Sequence, residues 1–439
     1  MSSSVLKNLV LPLADKTMKT NIAGYYKQIN RMGKYSADEI KQWQNTQLQK
    51  LLQHAYSNTK YYKTLFDEAQ LRPSDIQTKE DLHKLPVLEK QDVIKNYEDL
   101  VPVNIQNIPS KKSATGGSSG DPMPYLLDHR SWSFSNANTI FNWEKTGYKY
   151  GDKHVALGST SLFVDKKPSL KHRLYYNLKN KIGLNGVNMS PEVCKNYVEL
   201  IKSKNIRFIY GYASAIYLLA KWVLENHEDV GIRTCFTTSE VLTKHFRNTI
   251  TAAFKCNVVD CYGAHDGGIT AFAHQEGYFE VGYNCLVQID DAKTSTQGPA
   301  LLTDLLNYAM PLINYKLGDE LIIDSDQNIN YPYNGQIINQ VIGRTSDLIQ
   351  LDNGHTLTGP GFTILFKDLP VDYYCIEKIS GYAIKCYIKK LPDYNTSHQD
   401  LIHSTFTKQM GPNIHFSIEY TNTIKYTNSG KRQYFVDNS

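Results

Sequence analysis

Five short stretches of this 439-residue chain carry residue types suited to phosphate chemistry. The first is Thr115-Gly116-Gly117-Ser118-Ser119-Gly120-Asp121-Pro122. Small side chains there let backbone N–H groups approach phosphate oxygens, and the hydroxyls add donors. No Lys-Ser or Lys-Thr follows Gly120, so it is not a Walker loop. Alone, such a stretch is more often a surface linker. The second is Asp260-Cys261-Tyr262-Gly263-Ala264-His265-Asp266, directly after the apolar pair Val258-Val259. A ring at Tyr262 can stack on a base. A carboxylate at Asp266 can hold Mg²⁺, which favours one or two carboxylates plus substrate phosphates. In isolation an ordinary strand-to-loop turn is the commoner reading.

The third, Tyr315-Lys316-Leu317-Gly318-Asp319-Glu320, puts a carboxylate after a tight glycine turn, where it can accept two hydrogen bonds from a ribose diol. A solvated turn aspartate explains it equally well. The fourth, Gly343-Arg344-Thr345-Ser346-Asp347, falls where the composition changes and reads as an interdomain hinge. The fifth is Ser429-Gly430-Lys431-Arg432; a lone lysine in such a tail is normally a solvated charge. His265 and His274 have no further ligand pair nearby, so packing or pocket roles are favoured over a metal site.

The elements that must carry these residues change character along the chain. Ser36-Ala37-Asp38-Glu39 is a capping box, and Ile40, Trp43, Leu48, Leu51, Leu52 and Ala55 follow at helical spacing. Pro73 and Pro86 divide the stretch to about residue 100 into short helices. From about 110 to 345, apolar runs at 154–159, 206–211, 232–238 and 256–263 read as strands, with helical stretches at 191–204 and 214–227 between them. That alternation predicts an α/β fold with parallel sheet, and ligands in such sheets sit beyond the carboxyl ends of strands. By this position the candidate pocket residues are Ser159, Tyr210, Tyr212, Ser214, Cys261, His265 and Gly267. Tyr210 and Tyr212 read equally as core rings. His265 and the hydroxyls point to a polar acid rather than a fatty one. Beyond 345, segments 372–379 and 382–389 alternate across Ser380-Gly381 as a hairpin, followed by a helix near 397–410 and a strand at 414–421. The expected division is a large domain with a helical lead-in (1–345) and a small α+β domain (346–439).

Composition narrows the classes. At roughly 150 residues per domain, the length suggests about three units, ample for a core without staples. A net charge of +5 over this length argues against a nucleic-acid binder. The seven cysteines include no CxxC, so neither a disulfide framework nor a zinc knuckle is expected, and a reducing cytoplasm is. Cys256 and Cys261 come nearest to a metal pair. The N-terminus is too interrupted for a signal peptide, and the apolar window 208–224, which contains Lys221, is shorter than a membrane span. The 31 tyrosines are unusual and by themselves uninformative.

Taken in order, the five stretches resemble the adenylate-forming enzymes, the acyl- and aryl-coenzyme A synthetases and related adenylation domains. Within them the chain is most similar to the phenylacetate–coenzyme A ligase family and to capsule-biosynthesis proteins of the CapK type. Segments 51–66, 81–93 and 303–320 add to that likeness. The resemblance implies a large domain with parallel-rich sheets flanked by helices and a mobile C-terminal α+β lid. It implies that Thr115, Gly117, Ser118, Ser119 and Gly120 bind the phosphates of ATP. Ser239, Glu240, Tyr262 and Gly263 would surround the adenine. Asp319 would hold the ribose, Arg344 the nucleotide and Asp266 the Mg²⁺, and Lys431 would be the catalytic lysine.

Four positions depart from the family pattern: Gly116 for Ser, Asp266 for Glu, Asn314 for Arg, and Ser346 for an acidic hinge residue, which moves the expected pivot to Asp347. Asn314 is expected to remove a fixed cation. The implied reaction is ATP-dependent activation of a carboxylic acid to an acyl-adenylate, then transfer to a thiol such as coenzyme A or a carrier protein, in surface polysaccharide synthesis. Direct transfer to an amine or hydroxyl of a sugar acceptor is one alternative. A catalytically silent nucleotide-binding partner is another.

Overall fold

The computed structural model describes residues 3–115, 123–158, 180–186, 189–239, 242, 244–290, 296–323, 332–341, 348–353, 355–358, 365–366, 369–411, 413–423, 425 and 435–437. The N-terminal hundred residues form a helical lead-in. Its longest helix, Ala37–Asn58, begins at the expected capping box: Ser36 Oγ accepts from the Glu39 N–H at 3.2 Å, and the Glu39 carboxylate accepts from the Ser36 N–H at 2.7 Å. Ile40, Leu48, Leu51, Leu52 and Ala55 are buried on one face. Gln44 shares that face and donates to the Tyr283 carbonyl at 3.0 Å, which docks the helix on the sheet. Trp43 is only partly buried. The proline-marked stretch is broken into short 3-10 and α segments, as its spacing predicts.

The strands are β1 (Ser110–Ala114), β2 (Pro124–Asp128), β3 (His154–Gly158), β4 (Lys181–Asn185), β5 (Phe208–Tyr212), β6 (Thr234–Thr238), β7 (Asn257–Ala264), β8 (Ile269–Gln275), β9 (Tyr278–Val281), β10 (Cys285–Ile289), β11 (Gln297–Asp304), β12 (Tyr315–Ile323) and β13 (Ile337–Val341). β1 and β2 pair antiparallel, and the other eleven form one sheet in the order β10-β11-β12-β13-β9-β8-β7-β6-β5-β3-β4. Helices Pro191–Ser203, Ala213–Glu225 and Lys244–Phe254 link its parallel strands.

The expectation of a parallel-rich sheet holds for only part of it. β4, β3, β5, β6 and β7 are parallel neighbours, and every pairing from β7 through β8 to β10 is antiparallel. The change comes at β7 because the chain turns straight back after Ala264, and a tight turn can join only antiparallel strands.

β14 (Leu348–Gln350) and β15 (Thr356–Thr358) form a small ribbon. β16 (Val371–Ser380) and β17 (Ala383–Lys390) form the expected hairpin, with Ser380 opposite Ala383. β18 (His415–Tyr420) and β19 (Phe435–Asp437) complete a sheet in the order β18-β17-β16-β19, with helix Thr396–Met410 beside it. Leu351, Ile376, Ile384, Ile388, Ile402, Phe406 and Phe435 form a hydrophobic cluster drawn wholly from this C-terminal part. Among the described residues, no helix is long and apolar enough to cross a membrane. All seven cysteines are reduced and buried.

Candidate active site

β7 rises out of the core through buried Val258, Val259 and Cys261 and becomes accessible at Tyr262 and Gly263. Its neighbour β6 holds it laterally, with the Thr237 hydroxyl donating to Asp260 at 2.7 Å. Burial pushes the Asp260 carboxyl up to about 6, against the pull of that hydroxyl and of Arg247. Beyond Ala264 the chain makes a tight turn carrying His265 and Asp266, then returns as β8.

The remaining site residues come from distant parts of the chain. Tyr262 Oη donates to Asp319 Oδ2 at 3.0 Å, although β8, β9 and β13 separate β7 from β12 in the sheet. At about 4.8 Å per step, four steps across a flat sheet span about 19 Å, beyond the reach of a tyrosine and an aspartate. The antiparallel half must therefore curl. Its devices are visible: register shifts between Pro299 and Leu301 and between Ile322 and Ile323, and Gly318 at φ +91° just before Asp319. Bulges bend strands and increase their twist, and glycine alone adopts such a φ readily.

The same curl brings Tyr315, at the start of β12, against the β7–β8 turn. Tyr315 Oη lies 3.3 Å from Asp266 Oδ2 and 3.5 Å from Met123 Sδ. Its proton belongs to the carboxylate, the stronger acceptor. Met123 closes the mouth of the Thr/Ser/Gly loop: the Thr115 N–H donates to the Met123 carbonyl, and the Met123 N–H donates to Thr115 Oγ1, both at 3.0 Å. Tyr315 and Met123 thus join the base of that loop to the acidic turn, and β12, which carries both Tyr315 and Asp319, brings the Tyr262–Asp319 pair to the same end of β7. Tyr125 on β2 is raised to about 12 by burial, with Asp266 adding to the shift. Burial, reinforced by Asp319, also holds the Tyr262 phenol neutral.

His265 remains exposed, yet its imidazole is pushed down to about 4, chiefly by desolvation and then by the charge of Lys111. Protein atoms crowd the ring while water still reaches it. Ser239 follows β6 at φ +68°, an uncommon conformation for a non-glycine residue and a frequent mark of a functional turn. Gly263 is exposed beside Tyr262, and Gly267 is buried against Leu302.

The expected pocket residues divide. Cys261 is buried with Trp143, Phe236 and Phe272, and half-buried Tyr210 packs on that cluster, its phenol raised to about 12 by burial. Tyr212 is a core ring instead, packed with Val155, Ile209 and Ile216, and Ser214 is buried in the first turn of helix Ala213–Glu225. Gly116, Gly117, Ser118, Ser119, Gly120, Ser159, Glu240, Arg344, Ser346, Asp347 and Lys431 lie outside the described residues.

Asn314 has a structural explanation. It is buried at φ +55°, and its amide donates to the Leu85 and Pro86 carbonyls at 3.2 and 3.5 Å. The Leu88 N–H in turn donates to its carbonyl. The side chain that stands in place of a cation thus joins the helical lead-in to β12. Asn314→Ala should cost about 2 kcal/mol, from the two lost bonds and the left-handed backbone, and leave nucleotide affinity unchanged. Urea unfolding and calorimetric titration with ATP measure the two effects; an affinity loss at unchanged stability would place Asn314 in the site.

Three participants carry no role in the sequence pattern: Tyr315 opens the third stretch without a function of its own, Met123 directly follows the first, and Lys111 sits in a charged strand with no motif at all. Asp266 is a hard oxygen donor at the loop base, which suits Mg²⁺ shared with phosphates. Among the described residues no three His, Cys, Asp or Glu side chains cluster as an all-protein metal cage.

This fold is that of the acyl-coenzyme A ligases. A solved 2-hydroxyisobutyryl-CoA ligase, in complex with 2-HIB-AMP and CoA in its thioesterification state, superposes with a TM-score of 0.60 at 16% identity, covering 91% of this chain and 90% of that one. The open conformation of that ligase gives 0.56. In sequence, the chain is similar over its whole length to protein CapK of Staphylococcus aureus, at 22% identity across 98% of that protein. It is 27% identical over 312 residues to the phenylacetate–coenzyme A ligase of Aromatoleum evansii, covering 65% of this chain and 67% of that enzyme. No family model matches the chain. The resemblance to the adenylate-forming ligases, seen first in the order of five motifs, therefore extends along the full chain and through its fold.

Proposed function

We propose that this protein is an AMP-forming acid–thiol ligase. It activates a carboxylic acid with ATP to an acyl-adenylate and passes the acyl group to a thiol, coenzyme A or a carrier protein. The observation that carries this reading is the joined cluster of Thr115, Met123, Tyr315, Asp266, Tyr262 and Asp319. It gathers the Thr115 hydroxyl, an acid, a ring and a second acid around the end of β7. Phenylacetate–coenzyme A ligase as a relative supports the same chemistry, and the resemblance to capsule-biosynthesis proteins of the CapK type motivates a role in surface polysaccharide synthesis.

In the first step a carboxylate oxygen attacks the α-phosphorus, and the bond to pyrophosphate breaks. Two anions must meet, so the protein's task is alignment and charge neutralisation. The loop beyond Thr115 would cradle the phosphates, Asp319 would accept from the ribose hydroxyls, and Tyr262, held by Asp319, would present its ring to the adenine. Asp266 would hold Mg²⁺, which supplies positive charge to the phosphate oxygens. Lys431, carried by a lid over 346–439, would complete the neutralisation. In the second step a thiolate sulfur bonds to the acyl carbon, and AMP leaves with the bonding oxygen. A lid that changes position between steps suits this two-stage use of one cleft.

The test is exchange of labelled pyrophosphate into ATP across a panel of carboxylic acids. Exchange that depends on one acid class is the expected result. Its absence with every acid, alongside measurable ATP binding, would replace the proposal with a silent nucleotide-binding role. Coenzyme A, carrier protein and sugar acceptor, supplied separately, identify the final acceptor by the product formed.

A further inference from the structure

The turn that carries His265 and Asp266 is held from beneath by buried polar groups. Gly268, at φ +65°, presses on Asp304: a Cβ placed there would lie 2.1 Å from the Asp304 carboxyl carbon. Asn284 Nδ2 donates to the Gly268 carbonyl at 2.9 Å and to Asp304 Oδ1 at 3.2 Å. The Asp304 carboxylate also accepts from the Leu306 N–H at 3.1 Å and from the Ser131 hydroxyl. Cys285 Sγ donates to the Gly267 carbonyl at 3.4 Å, and Leu302 fills the space against Gly267. Asp304 and Asn284 are almost wholly buried, at 1% and 0% exposure. Both carbonyls of the glycine pair are therefore taken by side chains from β10 and its approach, and both α-carbons abut β11.

A glycine pair is the most pliable backbone available, and the acid beside it has to be held still to serve a reacting phosphate. The geometry points to Asp304 as a positioning residue: through Asn284 and through packing on Gly268, it fixes the turn that aims Asp266 at the magnesium nucleotide. This inference rests on the proposed ligase reading for its consequence, but the mechanical link stands on the contacts alone. Residues that orient a metal-holding side chain typically contribute about 10- to 100-fold to metal affinity or activity.

The test compares Asp304→Ala with Asp304→Asn in the full chain. Asparagine keeps the shape and one acceptor oxygen, so it should restore most of what alanine removes. In D304A, amide hydrogen exchange across residues 263–270 should quicken by about tenfold while β3 and β5 remain protected. The Mg²⁺ concentration for half-maximal pyrophosphate exchange should rise by about tenfold, with kcat lowered and the KM for the acid unchanged. Asn284→Ala cuts the same link without touching the carboxylate and takes the place of D304A if that variant does not fold. Unchanged hydrogen exchange at 263–270 would overturn the inference, as would D304N impaired as severely as D304A. A wild-type protein without pyrophosphate exchange would refute the ligase reading, and the hydrogen-exchange comparison would still decide the role of Asp304.

Discussion

Replacing Lys431 with alanine should reduce acid-dependent exchange of labelled pyrophosphate into ATP by roughly 100- to 1,000-fold, the loss typical when one preorganised charge stabiliser is removed. Adenylation joins a carboxylate to a triphosphate, so the barrier is dominated by like-charge approach, and on the proposed reading Lys431 would act where that repulsion peaks. The fold should survive. Lys431 precedes β19, whose Phe435 is buried and pairs with Ile376, so truncation at 431 leaves that anchor intact. Circular dichroism and the melting temperature should match wild type while exchange is lost. Full activity in a folded K431A protein would remove lysine-assisted adenylation from the mechanism.

The second large effect falls at Asp266. Asp266→Asn keeps the shape and can still accept from the Tyr315 hydroxyl, so the joint between β12 and the turn should hold. What disappears is a carboxylate charge next to the base of the Thr/Ser/Gly loop. Exchange should fall by roughly 100-fold, and more Mg²⁺ should recover only part of it. The Mg²⁺ titration separates this from structural damage: a folded D266N protein with unchanged Mg²⁺ dependence would assign Asp266 to packing with Tyr315 rather than to the nucleotide.

The parts of the fold that were legible in sequence are those whose signals are local. Helix Ala37–Asn58 announces itself through the Ser36–Glu39 capping box and its apolar spacing. β3, β5, β6 and β7 read as apolar runs because helices cover both faces of a parallel sheet. The antiparallel half was not foreseen. The devices that curve it, the bulges in β11 and β12, are relations between strands that no single segment displays. The site was legible in the same uneven way. Tyr262, Asp266 and Asp319 stood out by residue type, whereas the contacts that tie Asp266 to the loop base, through Tyr315 and Met123, are displayed by no single segment. Tyr212, at a strand end, read equally as a pocket residue and as a core ring, and the structure buries it in the core. Asn314 read as a missing cation because composition reveals neither burial nor a left-handed backbone.

The curl that seats Tyr262 against Asp319 also bears on how the protein reaches its working state. The two residues are 57 positions apart, and their meeting requires every strand between them to be in register. Contacts of such long sequence separation form late, because the chain-closure entropy precedes any reward. Nucleotide affinity should therefore emerge only when the whole antiparallel half has closed, well after the helical lead-in and the parallel strands have gained structure. On the proposed reading, a nascent chain ending short of β12 would hold the ring and the acidic turn but no ribose acceptor, so the protein could not consume ATP until the chain through Ile323 has been made and has folded.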